Sequence, residues 1–236
     1  NNYMAKRNYK KLDDIEHVIL RPGMYIGSIT SRTEDKYVLV NGKMCKKSIT
    51  FNPGFLKIFD EILMNSVDES KRSGSKLSTI KINISDSEIS VWDNGGITVS
   101  KQDGEWIPEM IFSNLKAGSN FDDTDHRTGA GLNGVGSTLT NIYSTEFSVS
   151  TCDGKKVFNQ VFENNMRKRS DPTTKASKTK HTEIKYKPDF KKFGMSNIDK
   201  DHSLMIEKRV FDVAGSNPSI KIYLNGKIIT IKSFED

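Results

Sequence analysis

The chain has 236 residues, enough for one large domain or two small ones, and enough to bury a core without covalent staples. Hydrophobic residues make up 35% and charged residues 28%, and no apolar run approaches the roughly 20 residues of a helical membrane span. Net charge is +6, and the two cysteines, Cys45 and Cys152, have neither metal-ligand nor disulfide-framework spacing, which points to a reduced, intracellular protein whose thiols pack.

The opening "NNYMAKRNYKKLDDIEH" lacks the apolar middle of a signal peptide. "PGFLKIFDEILMNSVDESKRSG" has a helical period, with Phe55, Ile58, Phe59 and Ile62 on one face and Gly74 as the stop. "STIKINISDSEISVWDNGG" alternates in two runs about Asp86-Ser87, the pattern of a hairpin that ends in a glycine turn. "GEWIPEMIFSNL" reads as a short helix opened near Pro108, and "SNFDDTDHRTGAGLNG" as a polar, glycine-studded loop. "STLTNIYS" is expected to be helical, followed by two strands about Asp153-Gly154. The run from Arg167 to His181 carries six basic residues before its histidine against one acid, the composition of a solvated loop, with a weak hold on nucleic acid as the competing reading. "HTEIKYKPDF" is a strand, "DHSLMIEKRVFDVAG" an amphipathic helix ending at Gly215, and "SIKIYLNGKIITI" a hairpin turning at Asn225-Gly226. The mixture implies an α/β two-layer sandwich, a mixed and mostly antiparallel sheet with helices on one face.

Three stretches carry chemistry. "GAGLNG", from Gly129, fits the dinucleotide pattern G-x-G-x-x-G, but no apolar strand precedes it and no acid is well placed after it, which excludes a Rossmann loop. Gly129, Gly131, Gly134 and Gly136 open into a helix, so a phosphate cradle in another fold survives beside a plain glycine-rich turn. Glu61, Asn65 and Asp68 stand at i, i+4 and i+7, a carboxylate and an amide oxygen suited to a water and a hard cation, or simply a solvent-facing stripe. Asp93 ends an alternating strand at a glycine turn, where it can accept from an exocyclic amine or close an Asx-turn.

In this order, helix with E-x-x-x-N, strand with D-x-G, then G-x-x-G-x-G, the chain resembles the ATPases that include gyrase, mismatch-repair proteins, heat-shock chaperones and histidine kinases. "IEHVILRPGMYIGS", "FNPGFLKIFDEILMNSVDES", "GLNGVGSTLTNIYSTEFSV", "KPDFKKFGM", "VFDVAGS" and "IYLNGK" narrow this to the N-terminal ATPase (GHKL, or Bergerat-fold) region of type IIA DNA topoisomerases, from about Leu12 onward. Later segments look like the eukaryotic enzymes, whereas "GLNGVGSTLTN" looks more like phage large subunits, so a phage or viral source is expected, with the host cytoplasm or, for a eukaryotic source, the nucleus as the location.

The resemblance implies ATP and Mg2+ as ligands. Glu61 becomes the general base that orients the attacking water, and Asn65 the Mg2+ ligand. Asp93 accepts from the adenine amino group, supported by Thr182 through water, and Gly95 and Asp68 are further nucleotide-binding positions. Gly131, Leu132, Asn133, Gly134, Val135 and Gly136 form the phosphate-binding segment, while Ser119 and Asn120 reach the ribose and phosphates. Tyr25 lies near the nucleotide of the partner subunit. Residues 1–20 are an arm and 21–236 the ATPase domain, which dimerises through the N-gate on ATP binding and acts on DNA with the remaining topoisomerase domains. A lysine on the family's second domain reaches the γ-phosphate there, so the chain alone is expected to bind ATP but to turn over slowly. Two departures stand out: "DNGGI" is one residue shorter than the family's D-x-G-x-G-I, which implies a different arrangement of Asp68 or Glu69, and Thr138 replaces a lysine of the eukaryotic enzymes. Alternatives are another ATPase of the superfamily, or a nucleic-acid-binding module with a decayed nucleotide pocket.

Overall fold

Asn52 starts the longest helix, α3 (Pro53–Lys71), by accepting a 3.1 Å hydrogen bond from the Phe55 amide, with Pro53 in the first helical position. In this computed structural model, which describes residues 14–115 and 135–231, α3 is preceded by helical residues 14–20 (α1), by α2 (Pro22–Tyr25) and by a hairpin, β1 (Arg32–Val40) with β2 (Lys43–Phe51). After α3 come β3 (Thr79–Ile84), β4 (Ile89–Asp93), a small hairpin β5 (Lys101–Gln102) with β6 (Glu105–Trp106), and α4 (Ile107–Ser113). Then follow α5 (Gly136–Ile142), β7 (Ser144–Cys152), β8 (Lys156–Glu163), β9 (Lys168–Arg169), β10 (Thr173–Ala176), β11 (His181–Pro188), α6 (Lys200–Ser216), β12 (Lys221–Leu224) and β13 (Lys227–Ile228).

The main sheet runs β10-β8-β7-β11-β4-β3-β12-β13, with β9 also on β8. Every pairing is antiparallel except β12 with β3, whose parallel register follows the crossover through α6. Phe55, Ile58, Phe59, Ile62 and Leu63 of α3 bury their side chains against Ile80, Ile82, Ile89 and Val91 of the sheet. The helix read over 53–74 is present but ends at Lys71, three residues before Gly74, and the hairpin at Asp86-Ser87 matches β3 and β4. Asn225 and Gly226, with φ of 49° and 80°, form the turn read at that position.

Three features differ from the sequence reading, the first being the small hairpin β5–β6, in which Glu105 and Trp106 of the expected short helix form a strand. The hairpin β1–β2 was not anticipated, although Asn41-Gly42 at its tip (φ 50° and 77°) carries the dipeptide that such a turn demands. The basic run from Arg167 is also not a plain loop: it contributes β9 and β10, and β10 forms one edge of the sheet with all four residues exposed. Lysines along an edge oppose strand addition by another chain, a structural use for that charge.

Residues 14–20 pack on the same core as α3. Ile15 and Val18 are buried in it, and the Tyr143 hydroxyl donates to the Val18 carbonyl at 2.8 Å.

Asn52 is a buried junction as well as a cap. Its Nδ2 donates to the carbonyls of Ile29 (2.6 Å) and Phe193 (3.1 Å), and its backbone amide donates to His202 Nε2 at 2.9 Å. That last bond requires the Nε2 lone pair, so the ring proton is on Nδ1, facing Asp199 Oδ1 at 2.8 Å. Asn52→Ala leaves a helix amide and two carbonyls without partners, so urea denaturation is expected to show a loss of about 2–4 kcal/mol. An unchanged midpoint would remove Asn52 from this role.

Candidate functional site

Asp93 ends β4 between β3 and β11, paired in register with Ile80 and Thr182. Its side chain faces the helical layer and is 5% exposed. Ser66 Oγ donates to Oδ2 at 2.7 Å and the Gly95 amide donates to Oδ1 at 2.9 Å. The second bond closes an Asx-turn, the structural reading of Asp93. Burial pushes its carboxyl up to about 7, the Ser66 and Gly95 hydrogen bonds oppose that, and the nearby charge of Glu69 adds to it.

This carboxylate is at the base of a slot. Ile62, Val91, Ile97, Phe112 and Ile184 give apolar walls, and Asn65, Ser66, Glu69, Gly96 and Thr182 complete the lining. The shape and chemistry suit a flat heterocycle with an exocyclic donor: apolar walls for the ring, one buried acceptor for the amine. Thr182 Oγ1 lies 2.8 Å from Thr151 Oγ1, which also accepts from the Ile97 amide at 3.0 Å. The short DNGGI turn is therefore fixed from both ends. Gly96 runs so close to the Cys152 carbonyl that a Cβ would overlap it, and the Val99 amide donates to Asp153 Oδ2 at 2.9 Å. The Asp68–Glu69 region is arranged around this turn through Glu69, which lies beside Gly95 and pairs with Arg72 at 2.8 Å.

Glu61 stands one helical turn before Asn65. Lys57 Nζ is 2.9 Å from its Oε1. Its Oε2 lies against Gly136, the first residue of α5, where an added Cβ would overlap the carboxylate. Helix α5 is buried along its whole length and its polar side chains are tied to neighbouring backbone. Thr138 donates to the Ile111 carbonyl at 3.2 Å, Thr140 to that of Ile58 at 2.8 Å, and Asn141 to that of Phe112 at 3.0 Å. Thr138 is fully buried, so a lysine in its place would have to bury its stem and carry its ammonium elsewhere.

The structure thus brings together Asn65, Asp93, Gly95 and Thr182, with Glu61 and Gly136 in mutual contact farther along α3. Asp68 is not part of the slot lining. At about 100° per residue, Ile62, Asn65, Ser66 and Glu69 share one sector of α3, while Asp68 lies roughly 110° from its centre. Tyr25 is likewise outside the lining, where its hydroxyl meets His17 Nδ1 at 2.7 Å. Val135 is 39% exposed at the start of α5. Ser119, Asn120, Gly131, Leu132, Asn133 and Gly134 lie outside the described residues. Sequence reasoning missed Ser66, the place of Glu69 in the slot lining (it was named only for the DNGGI turn), and Thr151. The first two were legible from the helical wheel, one and two turns on from Ile62, had the sector been centred on the slot.

No family model matches the chain. It is similar to DNA topoisomerase 2 of Arabidopsis thaliana, with 43% identity over 238 residues that cover 97% of this chain and 16% of that protein. The ATPase region of Saccharomyces cerevisiae topoisomerase II superposes with a TM-score of 0.83 at 35% identity, covering 94% of this chain and 61% of that structure. The ATPase domain of Thermus thermophilus gyrase B, at 21% identity and a TM-score of 0.66 over 92% of this chain and 51% of that one, shares the fold. The chain spans less than a fifth of the length of the topoisomerase it matches. With its two-layer architecture and the slot between α3 and β4, the chain is an ATPase domain of the GHKL (Bergerat) fold, homologous to the ATPase regions of type IIA DNA topoisomerases.

Proposed function

We propose that the chain binds and hydrolyses ATP as the nucleotide module of a type II DNA topoisomerase, closing two protomers into an N-gate during DNA strand passage. The observation that carries this reading is the buried Asp93 carboxylate at the base of an apolar slot whose helical wall continues to Asn65 and Glu61. Asp93 accepts from the adenine amine, and Thr182 supports that contact. Glu61 orients the attacking water and takes up its proton.

Among the described residues no three His, Cys, Asp or Glu side chains cluster as a metal cage. One amide oxygen, that of Asn65, fits Mg2+, which takes most of its ligands from phosphates and water. When bound, the ion neutralises phosphate charge, while this chain's residues hold the base and the purine. A nucleic-acid-binding module with a decayed pocket is disfavoured by the intact Glu61, Asn65 and Asp93.

Glu61→Gln separates binding from chemistry. Calorimetry with ATP and Mg2+ is expected to give an affinity within about threefold of wild type, whereas turnover falls at least about 100-fold, the usual worth of a positioned base. Wild-type turnover in Glu61→Gln, or no heat for ATP with wild-type protein, would overturn the proposal.

A further inference from the structure

Side chains that alternate with Val91 and Asp93 along β4 point to the other side of the sheet, the face away from the helices. There Tyr223, Lys81 and Trp92 form a continuous cross-strand row over β12, β3 and β4. With Lys221 and Asn83 they line an open cleft of about 500 Å3 whose lining contains no carboxylate. The Lys81 ammonium is 4.7 Å from the Trp92 ring centroid and 5.9 Å from that of Tyr223. The rings thereby hold a cation above the sheet without neutralising it. The nearest carboxylate in the row, Glu183 opposite Trp92, has Lys185 at 3.4 Å.

We propose that this cleft is a contact for the sugar-phosphate backbone of duplex DNA, separate from the nucleotide slot on the opposite face. Its chemistry selects an anion: two exposed ammonium groups on neighbouring strands, an exposed amide, and aromatic rings already covered by a cation. An apolar protein partner would find no continuous apolar surface there. A polyanion gains from both lysines at once and releases its counterions, the usual source of backbone affinity. The inference rests on the topoisomerase reading, which supplies duplex DNA as the partner. Because Asp93 and Trp92 face opposite sides of β4, DNA and nucleotide can occupy the chain together.

The test is fluorescence anisotropy of a labelled 20-base-pair duplex against this chain across a salt series. Lys81→Gln with Lys221→Gln keeps the first two methylenes of each stem and a polar end, and removes both charges. The double variant is expected to weaken binding about tenfold at low salt and to reduce the slope of log affinity against log salt by about 2. Lys178→Gln with Lys180→Gln, in the basic run beside the β10 edge, is the control and is expected to change affinity less than about twofold. Wild-type affinity in the Lys81/Lys221 variant, an equal loss in the control, or no duplex binding by wild type overturns the proposal. Protection of Lys81 and Lys221 from acetylation by bound duplex, mapped by mass spectrometry, gives the same answer without any substitution. ATP titrations on the same samples keep the two readings apart: the lysine variants retain nucleotide affinity if only the DNA contact is lost, and a chain that binds no ATP fails the functional proposal instead.

Discussion

Asp93→Asn is expected to lower ATP affinity by about 100-fold while making the protein without nucleotide more stable at pH 8. Both effects come from one buried charge. An asparagine can accept from the Gly95 amide and donate to Ser66, so the local bonds survive, but it then turns an N–H toward the purine amine where an acceptor is required. The stability change follows from the folded-state carboxyl, which is raised to about 7 from an unfolded value near 3.8. The folded state holds the proton more tightly, so stability falls as pH rises from about 4 to about 7, and the full cost is present above that window. Asparagine escapes it, gaining at most a few kcal/mol, or several degrees of melting temperature in a domain this size. The gain is expected to shrink to nothing below about pH 4.

The wild-type protein is also expected to lose ATP affinity below pH 7, up to about tenfold per unit, because protonation removes the acceptor. Asp93→Asn shows no such loss, and the comparison cancels titration of the phosphates themselves. A variant that binds ATP normally, or whose melting temperature falls at pH 8, would refute this account.

Gly136→Ala addresses the other end of the site. The added methyl would occupy the space of the Glu61 carboxylate, the free end of a flexible side chain, so the fold absorbs it by turning Glu61 aside. The melting temperature is expected to stay within a few degrees, whereas turnover falls about 100-fold, the scale set by an ångström of misplacement in a reacting group. Equal turnover in the variant and wild type would show that Glu61 works from another position. A collapse in stability would show that Gly136 is required for packing alone.

Much of this was legible in the sequence because the relevant signals are local. The apolar face of α3, the Asp86-Ser87 turn and the Asn225-Gly226 turn each follow from spacing within a few residues. The placement of Asp68 was not, since a stripe of polar residues gives an angle around the helix but no reference to the sheet it meets. Ser66 reads as an ordinary hydroxyl until Asp93, 27 residues later in sequence, is brought 2.7 Å away. The edge strand β10 was hidden because its residues carry no apolar alternation; it pairs only because β8 offers it a partner.

The hydroxyl and amide bonds of α5 have a mechanical consequence. Each reaches a carbonyl of α3 or α4, so α5 has no slack in which to slide along either neighbour. The Thr140 bond ends at Ile58, within one turn of Glu61 on the same helix. These bonds therefore stitch α5 at once to α4 and to the stretch of α3 that carries Glu61.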